Sequence, residues 1–392
     1  MKKLTLKTKE GCWRLLIIFL ALIVLFSCAA RLVSSDAGKI KVSRVTFDSR
    51  GATVTADLFY PAGTTDEDKL PAVLVGHGAG VTRGIMKGIA EEIARRGYVV
   101  LNVDAYGYGM SEMPVNDDSG QDKDNFDSKL TPGGMLDALN FVRTLEFVDQ
   151  TRIGMAGHSA GSRRTASAAM IDCGYLTLND LLMNVLYDDF GQEFTEEEIK
   201  MNADELAKDR LNDDQLSHYM DIKEETELWY NTRMKALCLI GSSAEKISLI
   251  QTVLVGGHEV QRNCQVNFGI VTGYWDFNYI EYPEWETTTE AWHTGSESVE
   301  RETWYIIDDV NATSEKVGLI NEASILTNDD FREAVDNRAT RIACYHYESH
   351  SKNFFSAQTA SDIVSYFEQT LGYNGGELGD SSATPLASDN IV

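Results

Sequence analysis

Unbroken apolar runs alternate in this chain with segments of helical period, and that alternation most narrows what it can fold into. Ala72 to Val75 is such a run and leads into Gly76-His77-Gly78-Ala79-Gly80. Ile85, Ile89 and Ile93 follow at four-residue spacing, one face of a helix that Gly97 closes. Tyr98 to Val103 is a second run, ending at Asp104. Thr131-Pro132 reads as a cap with a first-turn proline, continued by Leu136, Leu139, Val142 and Leu145. Ile153 to Ala156 is a third run. Strands apolar on both faces, separated by helices, predict an α/β fold with a mainly parallel sheet covered on both sides.

The flanks fit around this centre. Ile40 to Phe47 and Val54 to Tyr60 alternate apolar and polar, with Gly51 between them, and predict an opening β-hairpin. Strands are expected again at Ala236–Ile240, Val266–Thr272 and Arg341–Tyr347, and a last helix at Ala357–Leu371. Two stretches break the rhythm. Residues 176–231 are acidic and helical in pattern, and residues 282–337 are rich in aromatics such as Trp285, Trp292, Trp304 and Tyr305. Both are read as insertions forming a cap. The organisation expected is therefore 1–38 as a basic stretch, apolar segment and linker, 39–372 as the globular domain, and 373–392 as a polar, disordered tail.

Lys2, Lys3, Lys7, Lys9 and Arg14 precede an apolar run from Leu15 to Phe26, followed by Ser27, Cys28, Ala29 and Ala30. Basic residues before an apolar run favour an N-terminus kept in the cytoplasm, with the rest carried across the membrane. The strict run is shorter than the about 20 residues of a bilayer span and fits a signal-peptide core. A signal anchor, cleavage after Ala29 or Ala30, and acylation of Cys28 in a lipoprotein-like Leu25-Phe26-Ser27-Cys28 are the three fates; an anchor is favoured, with the domain extracytoplasmic, or secreted if the segment is cleaved.

The net charge of -25 works against nucleic-acid phosphates as partners. The six cysteines include no C-x-x-C pair and no zinc spacing, and Cys238, Cys264 and Cys344 read as small buried hydrophobes.

Gly157-His158-Ser159-Ala160-Gly161 is a G-x-S-x-G motif between a buried strand and a small-residue stretch from Thr165 to Ala169. A strand–turn–helix elbow thrusts the serine out of the backbone and turns a helix N-terminus toward any oxyanion formed there. Such a hydroxyl needs a base and the base an orienting carboxylate. Of seven histidines, His350 lies just beyond the last strand and is preferred to His346 within it. Asp276, where the chain leaves the preceding strand, is the expected carboxylate, with Glu245 as the alternative. The order Ser159, Asp276, His350 is the one expected for such a sheet. Backbone N–H groups of Ala160 and Ala79 are the expected oxyanion donors.

These stretches together resemble α/β-hydrolases of the dienelactone-hydrolase, serine-aminopeptidase and acyl-esterase group. The likeness is carried by Leu70 to Gly78, by Asp104-Ala105-Tyr106-Gly107-Tyr108-Gly109-Met110-Ser111, a D-x-x-G-x-G-x-S turn, and by Val148 to Gly154 running into the elbow. Arg163 and Arg164 depart from it, near where the family often has a small residue. The resemblance implies a serine hydrolase cleaving a small-molecule acyl ester through an acyl-enzyme. A peptidase of the serine aminopeptidase type and an inactive hydrolase-fold binding module are the alternatives. The chemistry needs no metal or organic cofactor.

Overall fold

The computed structural model describes residues 8–114, 132–242, 250–275, 304–307, 323–325 and 341–372. The hairpin forms as expected from β1 (Ile40–Ser49) and β2 (Ala52–Pro61), in register from Ile40 opposite Pro61 to Ser49 opposite Ala52. Its two-residue turn, Arg50-Gly51, has positive φ at both positions, as a tight hairpin turn requires.

Among the described residues the centre of the molecule is a sheet of ten strands. β3 (Leu70–Gly76), β4 (Val99–Val103), β5 (Val148–His158), β6 (Ala236–Ile240), β9 (Asn267–Trp275) and β12 (Arg341–Ser349) run parallel in the order β4-β3-β5-β6-β9-β12. β2 joins β4 antiparallel and brings β1 to the edge. Every residue of β3, β4 and β6 is buried, which is why these strands read as continuous apolar runs. Side chains alternate between two cores. Leu74 and Met155 face α3 (Met135–Arg143) and α4 (Ala160–Cys173), while Val73 and Val75 face α2 (Lys87–Arg95) and the last helix, α8 (Ala357–Leu371).

The described residues depart from the expected pattern in four places. Thr131 lies outside the described residues, and Pro132 does not open α3. The helix starts at Met135, after Gly133 and Gly134 at positive φ, which breaks any helical path from the proline. Residues 31–38 are not a plain linker: α1 runs from Lys9 to Ser34, and a 3₁₀ turn, Asp36–Gly38, joins it to β1. The described parts of the second insertion, β10 (Trp304–Ile307) and β11 (Ala323–Ile325), are strands that extend the sheet beyond β12. Finally, a hairpin absent from the sequence reading, β7 (Ile250–Val255) and β8 (His258–Asn263), lies between β6 and β9.

The first insertion is helical as expected: α5 (Leu178–Asp188), α6 (Ala203–Arg210) and α7 (Asp213–Asn231). With the β7–β8 hairpin it closes around its own core of Leu182, Leu186, Phe194, Leu206, Tyr219 and Val255. Arg262 grips Asp180 through two bonds of 2.8 Å, and the Gly256 N–H donates to Asn184 Oδ1 at 2.7 Å. This satellite is rooted at the end of α4 remote from Ser159. There Arg233 donates to the Cys173 carbonyl at 2.7 Å, the Gln265 N–H to that of Gly174 at 2.9 Å, and Arg143 to that of Thr232, just after α7, at 2.7 Å. α4 has 14 residues, about 21 Å at 1.5 Å each, so these roots lie at the amino edge of the parallel strands.

α1 is 26 residues long, about 39 Å, and its apolar stretch is unburied. It is long and apolar enough to be a signal anchor or a signal peptide.

Candidate active site

The carboxyl ends of β3, β5, β6, β9 and β12 are in register, so the segments that follow them gather along one edge. Gly76 pairs with Gly157, His158 with Ile240, and Ser349 with Trp275. Ser159 follows β5, the His77–Gly80 loop follows β3, and His350 follows β12. Asp276 lies outside the described residues, as does Glu245. The residue before Asp276 pairs with the residue before His350.

Ser159 stands at φ 53°, ψ -117°, between the last residue of β5 and the first of α4. A non-glycine residue held there carries roughly 1–3 kcal/mol of strain, which the surroundings must hold in place. Its N–H donates to the Ile240 carbonyl at 3.0 Å, and its carbonyl accepts from Ser162 N–H at 2.9 Å. The flanking glycines are required by contact. A Cβ on Gly157 would stand 2.4 Å from Gly161 O, and one on Gly161 2.4 Å from Gly76 O. The elbow is therefore wedged against β3 by backbone alone. Ser159 is half-buried, and Ala160 begins α4, whose first N–H groups have no partner within the helix.

The loop after β3 is pinned from three sides. His77 is buried; its Nδ1–H donates to Gly78 O at 2.8 Å, and its Nε2 accepts from Ala105 N–H at 3.1 Å. This pattern requires a neutral ring. Burial pushes its pKa down from 6.5, with the bond to Gly78 pulling the other way. Arg164, itself buried, donates to the His77 carbonyl at 3.1 Å and lies 5.1 Å over the Tyr108 ring. Tyr108 in turn meets His77 edge-on at 5.1 Å. Ala79 follows on the exposed part of the loop, and a Cβ on Gly78 would come within 3.5 Å of the Ser159 Cβ.

The D-x-x-G-x-G-x-S turn supports this loop from behind. Asp104 is fully buried and accepts from Arg83 N–H at 2.8 Å, from the Arg83 guanidinium and from Met110 N–H at 3.0 Å. The Arg83 Nε donates to Asp57 at 2.9 Å, and Ser111 Oγ to the Asp104 carbonyl at 2.7 Å.

His350 is buried in the turn after β12. Its carbonyl accepts from His158 Nε2 at 3.0 Å, and the two imidazoles lie 4.5 Å apart, centroid to centroid. Phe354 also packs on His158, with ring centroids 4.0 Å apart. The histidine loop is thus docked on the residue that precedes Ser159. The sequence marks Arg164 only as a departure from the family pattern and gives His158 and His77 no role of their own. Their types carry no signal for support roles, and only the contacts of Arg164 explain a basic residue where a small one was expected.

Among the described residues no group of three or more His, Cys, Asp or Glu is arranged to hold a metal ion. Cys173, Cys238 and Cys264 are buried, and burial pushes the Cys264 thiol up to about 12; Cys344 lies outside the residues whose side chains are described.

No protein-family model matches the chain. It is similar to the uncharacterized protein YcjY of Escherichia coli K12, 26% identical over 133 residues, covering 34% of this chain and 41% of that one. It is also similar to the uncharacterized protein PA2218 of Pseudomonas aeruginosa, 29% identical over 136 residues, covering 34% of each. The chain thus spans well under half the length of the curated relatives it matches. Among solved structures it is similar to the esterase Est22, with a TM-score of 0.40 and 13% identity over 94% of this chain and 90% of that one. A cold-adapted esterase from an Arctic intertidal metagenomic library gives 0.39 and 13%, over 85% and 95%. A putative dipeptidyl aminopeptidase IV from Bacteroides ovatus gives 0.39 and 11%, over 84% and 36%. At these scores nothing about the chemistry of this chain is drawn from them.

Proposed function

We propose that the protein is a serine hydrolase that cleaves an ester or similar acyl bond, with Ser159 as nucleophile. The observation that carries this reading is the strained Ser159 backbone at the head of α4, with the His350 loop docked on its neighbour His158. His350 takes the proton of Ser159 Oγ as the oxygen attacks the acyl carbon, then gives it to the departing alkoxide. Water repeats the sequence on the acyl-enzyme, releasing the acid and restoring the serine. Asp276 is assigned to orient His350, and the N–H groups of Ala160 and Ala79 to hold the oxyanion. The neutral, doubly bonded His77 and the Arg164 brace support that assignment by fixing the loop that carries Ala79. α1 is assigned as a membrane anchor, with the domain on the extracytoplasmic side.

Fluorophosphonate labelling tests the nucleophile. Wild type is expected to label and Ser159→Ala not to; equal labelling of both removes the assignment. Turnover of p-nitrophenyl acyl esters against aminoacyl-nitroanilides decides between an esterase and an aminopeptidase, and the ester is expected to react faster.

A further inference from the structure

Where α1 meets the globular domain the charge of the molecule reverses. The chain carries a net charge of -25, yet Arg31, Lys39, Lys41, Arg44 and Arg50 lie within one short stretch that contains only Asp36 and Asp48 as acids. The fold gives this stretch a shape. A cavity of about 600 Å³ opens between the last turn of α1, the edge strand β1 and the start of α2. That is within the size range of small-molecule sites. Arg31, Lys41 and Lys87 line it, with Ser35, Ser43 and Tyr60. Among the described residues no acidic side chain lines it.

The arrangement follows from the elements. Lys41 and Ser43 are two apart on β1 and share a face, and Lys41 is paired in register with Tyr60, over whose ring its ammonium lies at 5.5 Å. Lys87 opens α2 and reaches the cavity from the other side; its side chain is half-exposed and pairs at 3.3 Å with the buried Glu91 one turn on. Arg31 stands in the last turn of α1. The root of α1 is fixed to the domain: Ile40 N–H donates to Ser35 O at 3.0 Å, and Arg95 to Val33 O at 3.4 Å.

We propose that this cavity binds the phosphate of an anionic phospholipid headgroup. The inference rests on α1 being a membrane anchor. With Leu15 to Ala30 in the hydrocarbon, Arg31 stands at headgroup level and the cavity opens beside it, so a lipid of the same leaflet reaches the three cations without leaving the bilayer. An otherwise acidic domain, repelled by such a surface, then meets it through this cation-lined cavity and takes up a fixed orientation.

The test uses the full chain, extracted in mild detergent and offered equal amounts of phosphatidylglycerol and phosphatidylcholine, with retained lipid counted by native mass spectrometry. Wild type is expected to retain phosphatidylglycerol preferentially. Lys41→Gln with Lys87→Gln is expected to weaken that preference by about fivefold for each ammonium removed. Lys200→Gln with Lys208→Gln, on the satellite, is expected to leave it unchanged. Millimolar inorganic phosphate is expected not to displace the lipid; displacement would reassign the site to soluble phosphates. Equal retention of the two lipids, or a preference untouched by the Lys41 and Lys87 changes, overturns the proposal. Release of the chain from membranes by alkaline carbonate overturns the anchor reading instead, so the two failures are distinguishable.

Discussion

The imidazole of His158 donates through Nε2 to the main-chain carbonyl of His350, 3.0 Å away, across 192 residues of sequence. This single bond joins the residue before the proposed nucleophile to the loop of the proposed base. It fixes where the His350 backbone sits without using the His350 ring.

Two replacements of His158 separate that bond from packing. His158→Phe keeps an aromatic ring beside Phe354 and loses the donor; His158→Gln keeps an N–H. A hydrogen bond of this kind contributes about 1 kcal/mol. The expected outcome is a kcat for an acyl ester reduced by about fivefold to tenfold in the Phe variant and less in the Gln variant, with KM little changed. A Gln variant as impaired as the Phe variant would show that the bond does not act through the His350 loop.

Arg164 offers a second test. Arg164→Met removes the donor to the His77 carbonyl and the cation over Tyr108. Leaving a buried acceptor unmet costs about 1–3 kcal/mol. A fall in kcat of about 5- to 150-fold with KM nearly constant is expected, and added guanidinium is expected to recover part of it. Unchanged kcat would mean that the loop after β3 does not depend on this brace.

Gly161→Ala tests the wedge under the elbow. The new Cβ would stand 2.4 Å from Gly76 O and 2.6 Å from His77 O, both backbone atoms that cannot rotate away. Overpacking of this kind costs about 1–3 kcal/mol or more. A lowered Tm and loss of fluorophosphonate labelling are expected together; a variant with wild-type Tm would refute the contact.

His77 gives the fold a pH dependence of definite sign. Its pKa is depressed in the folded protein, so below about 6.5 the unfolded chain binds the proton more readily. Its contribution is complete above 6.5 and is lost as pH falls through the depressed folded value. Glu92 and Glu368, pushed up mainly by burial, act in the opposite direction as pH rises past their ordinary range. The difference between wild type and His77→Gln isolates the histidine. That difference in Tm is expected to shrink on going from pH 7.5 to 5.5, and a constant difference would count against a buried neutral ring.

The elements that declare themselves in the sequence are those whose pattern is dictated by burial on both faces. β3, β4 and β6 are readable because burial between two layers of helices selects almost wholly apolar side chains, the buried Asn102 of β4 being held by its bond to the Arg83 carbonyl. The elbow is readable because its glycines are demanded by backbone contact, and Gly109 because it sits at positive φ where a Cβ would fall 2.1 Å from the buried Asp104 carboxylate. The β7–β8 hairpin is not readable: its burial alternates weakly, and its partners are helices of a separate unit far earlier in the chain. Nor are the supports of the site. A histidine that braces a carbonyl looks, in sequence, like any other histidine, and Arg164 looks like a departure until Tyr108 and the His77 carbonyl are beside it.

The rooting of the satellite has a bearing on how such a protein changes over generations. With its own apolar centre and its ties at the edge away from Ser159, it is free to lengthen, shrink or be exchanged while the strained serine and its braces stay as they are. The bulk of the protein is therefore a poor guide to the room around Ser159. Selection on that lobe and selection on the elbow act on separate pieces of one chain.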